Sequence, residues 1–214
     1  MGRSALNDSR IFTIGHAAHD TVESLIALLI PRVVTVLIDV RWDAYIRHFP
    51  RFNRPVLEAI ANRECIYYLH IGDVGGDIFA DRLGVVSDEE IASSERFERA
   101  ISRIAETAQR QRVVLMGVEE DPLRCRRAVL YAQALDRMGF DLRHLSQDGD
   151  LESHRQLEDR LLLAHDLADP FFLMGESQLS LLDQRLTVEA QRTERLLKAY
   201  RLQRRAIAHL ESHF

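Results

Sequence analysis

The chain has 214 residues, 46% of them hydrophobic, and a formal net charge of −5, enough to bury one substantial core with an appendage. No apolar run approaches the roughly 18 to 20 residues of a membrane span, and the acidic balance argues against broad nonspecific binding to nucleic acid. Cys65 and Cys125, the two cysteines, supply neither a disulfide framework nor paired zinc-ligand spacing; the first residues lack a signal peptide's apolar stretch, so a cytoplasmic protein without structural zinc is expected.

Taken in order, residues 10–14 read as a short strand ending in Gly15-His16. Asp20 and Glu23 have capping-box spacing ahead of an amphipathic helix that stops near Pro31. Residues 33–41 are apolar on both faces, as in a central parallel strand covered by helices on each side, and end in Asp39-Val40-Arg41. The following loop carries Arg47, His48 and Arg51, and a helix is expected over 55–64. Residues 65–70 form the third strand, closed by His70 and a glycine-marked loop containing Gly75 and Gly76. Ser87 and Glu90 cap a long helix reaching Ala108.

Residues 112–118 are an apolar, β-branched run too short for a helix, which ends abruptly at Glu119-Glu120-Asp121-Pro122. Asp121 can cap the next helix and Pro122 suits its first position, which places Cys125 and the Arg124, Arg126 and Arg127 group at a strand-to-helix junction. That helix ends near Gly139, residues 140–145 form a fifth strand, and Asp148-Gly149-Asp150 turns the chain into a helix containing His154. Five strands alternating with helices imply an α/β fold: a three-layer sandwich with a mostly parallel five-stranded sheet, Rossmann-like or flavodoxin-like, over residues 1–169. Residues 170–214 read as a C-terminal helical extension. In it Leu179, Leu186, Thr193, Tyr200, Ile207 and Phe214 recur every seventh residue. The helix needs a surface to bury this row, either its own sheet domain or a twin chain, and is expected to take no part in the active site. Seven basic residues between Arg185 and Arg205 read as a solvated face or as one facing nucleic acid.

An ordered series of motifs resembles a bacterial family catalogued as domain of unknown function 488. It runs through Thr13-Ile14-Gly15-His16, Asp39-Val40-Arg41, Pro50-Arg51-Phe52-Asn53, Tyr68-Leu69-His70, Gly75-Gly76, Leu115-Met116, Glu119, Asp121-Pro122, Cys125, Arg127, Arg143-His144, Gly149 and His154. The resemblance covers roughly residues 10–160 and implies an α/β domain of bacterial origin, sometimes labelled as DNA repair. Ala17, Gly117 and Arg126 depart from the pattern, standing where the family usually has serine, cysteine and histidine; their loss would alter activity if those groups are chemical.

In an open α/β sheet, ligands bind at the C-terminal ends of the strands. The candidate catalytic residues are therefore His16, Asp39, Glu119 and Cys125; Gly15, Arg41, Arg47, His70, Gly75, Gly76, Arg127 and His144 are candidates for substrate binding. Each has a plainer reading: His16 can orient a turn, Asp39 need not pair with Arg41 and can bind loop amides, and Cys125 can be a small buried residue. No metal-ligand motif joins His16, His70 and His144, and no cofactor is predicted. The preferred function is an enzyme acting on a nucleotide-like or other anionic substrate, glycosidic-bond hydrolysis or transfer through a carboxylate being one version. Two other classes are group transfer or redox sensing through Cys125, and a noncatalytic module binding nucleic acid or protein.

Overall fold

The computed structural model describes residues 10–45, 47, 50–71, 87–168 and 182–211, with side chains of the last helix described over 189–209. The glycine-marked loop with Gly75 and Gly76, His48, the Asp169-Pro170 break, and the side chains of Leu179, Leu186 and Phe214 lie outside them.

One sheet contains β1 (Arg10–Gly15), β2 (Val36–Asp39), β3 (Tyr67–His70), β4 (Val113–Gly117), β5 (Asp141–Leu145) and β6 (Leu151–Ser153), in the order β3-β2-β4-β1-β5-β6. The first five are parallel. The sixth, absent from the sequence reading, pairs antiparallel with β5. Gly149, at φ +90°, sits in the turn between them, so Asp148-Gly149-Asp150 closes a hairpin before the chain enters its next helix.

From β1 to β3 the chain moves across the sheet in one direction, and from β3 to β5 it moves back. Right-handed crossovers then place α1 (Val22–Leu29) and α2 (Arg54–Arg63) on one face. The opposite face receives α3 (Asp88–Ala92), α4 (Glu95–Ala108), α5 (Gln133–Arg137) and α6 (His154–Ala164). Two separate apolar clusters match this division. Phe12, Ile14, Leu37, Val114 and Met116 pack with α1 and α2; Ile11, Val36, Ile38, Val113 and Leu115 pack with the other helices. The result is three layers.

Several local expectations change. Thr21, not Asp20, caps α1, its side chain accepting from Ser24 N–H. The Ser87 capping box forms, but the expected long helix breaks at Ser93-Ser94, where Ser94 caps α4 afresh. After β4, Asp121 caps only a 3₁₀ turn, Pro122–Arg124. Cys125 is then extended, and Arg127–Ala132 winds as a π-helix before α5.

α7 (Leu182–Glu211) lies against this second layer. Ala199, Tyr200 and Ile207 join its apolar cluster, so the seventh-residue row is partly buried on the chain's own sheet domain. Wider π turns displace carbonyls from the helical ladder, and the Val129 carbonyl accepts from Arg204 Nε at 3.1 Å and Nη2 at 3.0 Å. Arg192 pairs with Asp159 at 2.6 Å and Glu158 at 3.4 Å. The basic residues of α7 therefore divide: Arg192 and Arg204 dock the helix, while Lys198, Arg201 and Arg205 face out. Among the described residues no helix is long and apolar enough to cross a membrane.

Among the described glycines, Gly15 has the closest neighbour. A Cβ there would stand 1.9 Å from the Glu119 carbonyl oxygen, a backbone atom with no rotamer to change, so space rather than backbone angle demands glycine. Gly15→Ala should lower the unfolding free energy by about 3 kcal/mol or more, measured by urea titration; a loss below about 1 kcal/mol would mean the β4 loop can shift freely.

Candidate active site

Gly15, Asp39, His70 and Gly117 end parallel strands at one edge of the sheet, with His16, Arg41 and Glu119 just beyond them. The connections leaving β1 and β4 go to opposite layers, and so do those leaving β2 and β4. Clefts form at such points. Side-chain alternation nevertheless splits the expected constellation into two groups.

The first group lies on the α1/α2 side. Asp39 and Arg41 are alternate residues, so they share a face, and they pair: Arg41 Nε donates to Asp39 Oδ1 at 2.9 Å and Nη2 to Oδ2 at 2.6 Å. Tyr68 Oη donates to the same Oδ2 at 2.6 Å. Asp39 Oδ1 also takes the Arg41 backbone N–H at 3.0 Å, and Arg41 Nη2 reaches the Phe52 carbonyl at 2.9 Å. Both charges are buried. Asp39 is thereby saturated as an acceptor, and Arg41 is held inside the protein. His70 Nε2 lies 3.0 Å from the Arg41 carbonyl oxygen. His16 stacks on Phe52, ring centroids 4.8 Å apart; burial, then the positive charge of Arg41, pushes its pKa down to about 3. Tyr68 and Phe52 escaped the sequence reading as site residues, although both stand in motifs it singled out.

The second group lies on the other side. Arg127 is wholly buried, donating from Nη1 to the Glu119 carbonyl and from Nη2 to the Glu120 carbonyl at 2.8 Å. Cys125 is buried too, which corrects its expected place on an accessible helix terminus. Burial raises its thiol pKa against the pull of Arg127, and the negative charge of Glu119 adds to the rise. Gly117 leaves room for both: a Cβ there would come within 2.5 Å of Cys125 Sγ and 3.1 Å of Arg127 Cδ. Arg126 pairs with the buried Asp88 at 2.9 Å, and Arg47 is exposed.

A cavity of about 670 Å³ opens beside this second group, at the ends of β4, β5 and β6 and against α6. Its volume suits a small organic ligand. Glu119, Glu120, Asp121, Asp150 and Glu152 line it against Arg124 and Arg160, an excess of three negative charges. Arg160 grips Glu152 at 2.7 Å and Asp121 at 3.0 Å. His144 forms part of the wall, with its pKa held well below the ordinary value by burial and then by His154. Of the predicted site residues, Glu119 and His144 line the cavity; His16, Asp39 and Arg41 do not.

Asp136, His154 and Glu158 bring potential ligand atoms within 4.8 Å of one another. Tyr200 already bonds His154 and Glu158, and Arg192 offsets the Glu158 charge. Compared with known proteins, the chain matches no family model, no curated protein and no solved structure. What defines its class is the geometry: a doubly wound α/β protein with an acid-lined cavity at the carboxyl edge of its sheet.

Two measurements follow from this burial. The folded pKa of His16 is about 3 and that of His154 about 4, against 6.5 for an exposed imidazole. Between those limits the unfolded chain binds more protons, so stability rises with pH across the window and is lost as pH falls from about 6.5 toward 4. Urea titrations at a series of pH values should show that slope, whereas a flat profile would mean these histidines are hydrated. With a chromogenic disulfide reagent, exposed Cys65 should react at once and buried Cys125 only on unfolding. Equally fast reaction of both would return Cys125 to the list of nucleophiles.

Proposed function

We propose that the chain is an enzyme that hydrolyses or transfers a glycosidic bond of an uncharged nucleoside-like or sugar substrate in this cavity. The carrying observation is the excess of carboxylate over guanidinium on its walls. The net negative wall disfavours a phosphate: Arg160 is tied to Glu152 and Asp121, which leaves Arg124 as the other guanidinium at the cavity, and Arg41 and Arg127 are buried and bonded to the protein. This reading replaces the nucleotide-like or other anionic ligand expected from sequence with an uncharged one. Carboxylates accept hydrogen bonds from sugar hydroxyls and stabilise the positive charge that builds at the anomeric carbon as its bond to the leaving group breaks.

Glu119 is the group assigned to that charge. It follows the central strand β4, and its loop is pinned by Arg127 and by Ala17 N–H donating to the Val118 carbonyl at 2.9 Å. The leaving group departs with the electron pair of the broken bond; water or an acceptor hydroxyl closes onto the carbon, and its proton passes by way of a neighbouring carboxylate to the departed group. Cys125, kept as a thiol by burial, is not the nucleophile.

A panel of nucleosides and aryl glycosides tests this. At least one member should be cleaved, and Glu119→Gln should lower kcat about a hundredfold or more with unchanged urea midpoint. Wild-type turnover in that variant would remove Glu119. No turnover at all, with salt-dependent oligonucleotide binding lost on neutralising Lys198, Arg201 and Arg205, would instead establish a nucleic-acid-binding module.

A further inference from the structure

Four buried side chains form one hydrogen-bonded file from the middle of the sheet to the C-terminal helix. Thr13 Oγ1 lies 2.8 Å from His144 Nδ1, His144 Nε2 lies 3.0 Å from His154 Nδ1, and His154 Nε2 lies 3.0 Å from the Tyr200 hydroxyl. None of the four is more than 3% exposed, so water does not compete for these bonds.

A neutral imidazole has one N–H donor and one bare nitrogen acceptor. Two such rings in series must therefore point the same way, and the file has only two arrangements. In one, Thr13 donates to His144, His144 to His154, and His154 to Tyr200. In the other, every proton is reversed. The tie is broken at the far end. Tyr200 Oη also lies 3.4 Å from Glu158 Oε1 and donates to it; an ionised carboxylate only accepts. With its proton committed there, Tyr200 must accept from His154 Nε2–H. The rest of the file follows.

We propose that Tyr200 is a positioning residue for the cavity: by giving its proton to Glu158 it fixes His154, and through it the cavity-wall residue His144, as Nε2–H tautomers. This rests on reading the cavity as the active site, and it adds α7 to that site. The sequence expectation was that this helix takes no part in it. Both ring nitrogens of His144 are engaged within the file, so the fixed tautomer sets the direction of the ring's dipole at the cavity wall and offers no N–H or lone pair to a ligand.

The test uses the full chain labelled with ¹⁵N-histidine, observed at neutral pH by two-bond ¹⁵N–¹H correlation, which distinguishes the tautomers directly. In the wild type both rings should be protonated at Nε2 and bare at Nδ1. Tyr200→Phe removes the acceptor, and the file should reverse: His154 donates from Nδ1 to His144, His144 donates from Nδ1 to Thr13, and the bare-nitrogen signal moves to Nε2 on both rings. Glu158→Gln keeps the shape but replaces an obligate acceptor with a group that also donates, so it should show both arrangements. This second variant carries the test if Tyr200→Phe fails to fold. Unchanged Nε2–H tautomers in folded Tyr200→Phe, or in Glu158→Gln alone if that is the variant that folds, overturn the inference. Reversal without turnover of any glycoside would leave the coupling standing and remove the reading of the cavity, so the two failures are distinguishable.

Discussion

A guanidinium removed from water must be hydrogen-bonded by the protein, and Arg127 has zero exposure. Its Nη groups bond two successive carbonyls, those of Glu119 and Glu120, so it cannot be satisfied unless the loop after β4 takes one shape. That loop crosses Gly15 at a distance only glycine allows, and Gly117 clears space for the arginine and the Cys125 thiol beside it. The candidate site inherits its order from this packing. Glu119 is held at the cavity because its backbone is clamped, and the Arg127 charge helps keep His16 and His144 neutral, although burial is the larger cause for both.

The C-terminal helix is bound by the same kind of obligation. The π-helix at Arg127–Ala132 begins at the buried arginine, and one of its carbonyls, that of Val129, takes both donors of Arg204. Gln203 adds a bond from Nε2 to the Leu123 carbonyl at 2.8 Å. Apolar contact of Tyr200 and Ile207 supplies area, and these polar bonds supply register. A helix docked by apolar contact alone could slide; one that must meet named carbonyls cannot.

The layers were legible in the sequence because the central strands are unbroken β-branched runs and the helices carry capping residues. What failed to show depends on contacts rather than on runs. β6 has three residues, too few for any periodicity, and exists because the Gly149 turn returns it to β5. The break between α3 and α4 was hidden by helix-compatible residues on both sides of Ser93-Ser94. At the site, the sequence identified the edge and most of the residues but not their division between faces. Asp39 and Arg41 are two residues apart, and that spacing alone implies a shared face. The π-helix left no trace, since nothing local distinguishes it from an α-helix, and the extended backbone at Cys125, which ends the preceding 3₁₀ turn, takes that residue out of a helical first turn. The file from Thr13 to Tyr200 spans four separate elements and requires the folded hairpin to be seen.

The position of β1 in the sheet has a consequence for how the protein is made. Its neighbours are β4 and β5; Arg10 meets Asp141 across 131 residues of chain. A ribosome delivers β2 and β3, which can pair with each other, long before it delivers anything for β1 to pair with. Ile11, Phe12 and Ile14, all buried in the finished sheet, therefore lie on a strand synthesised before β2 and β3 but covered only after those two can pair. Closing so long a loop is slow compared with forming helices, so the nascent chain carries an unpaired apolar strand at least until β4 has been made. The middle of the sheet is completed by strands far apart in the chain, and only when β5 has emerged.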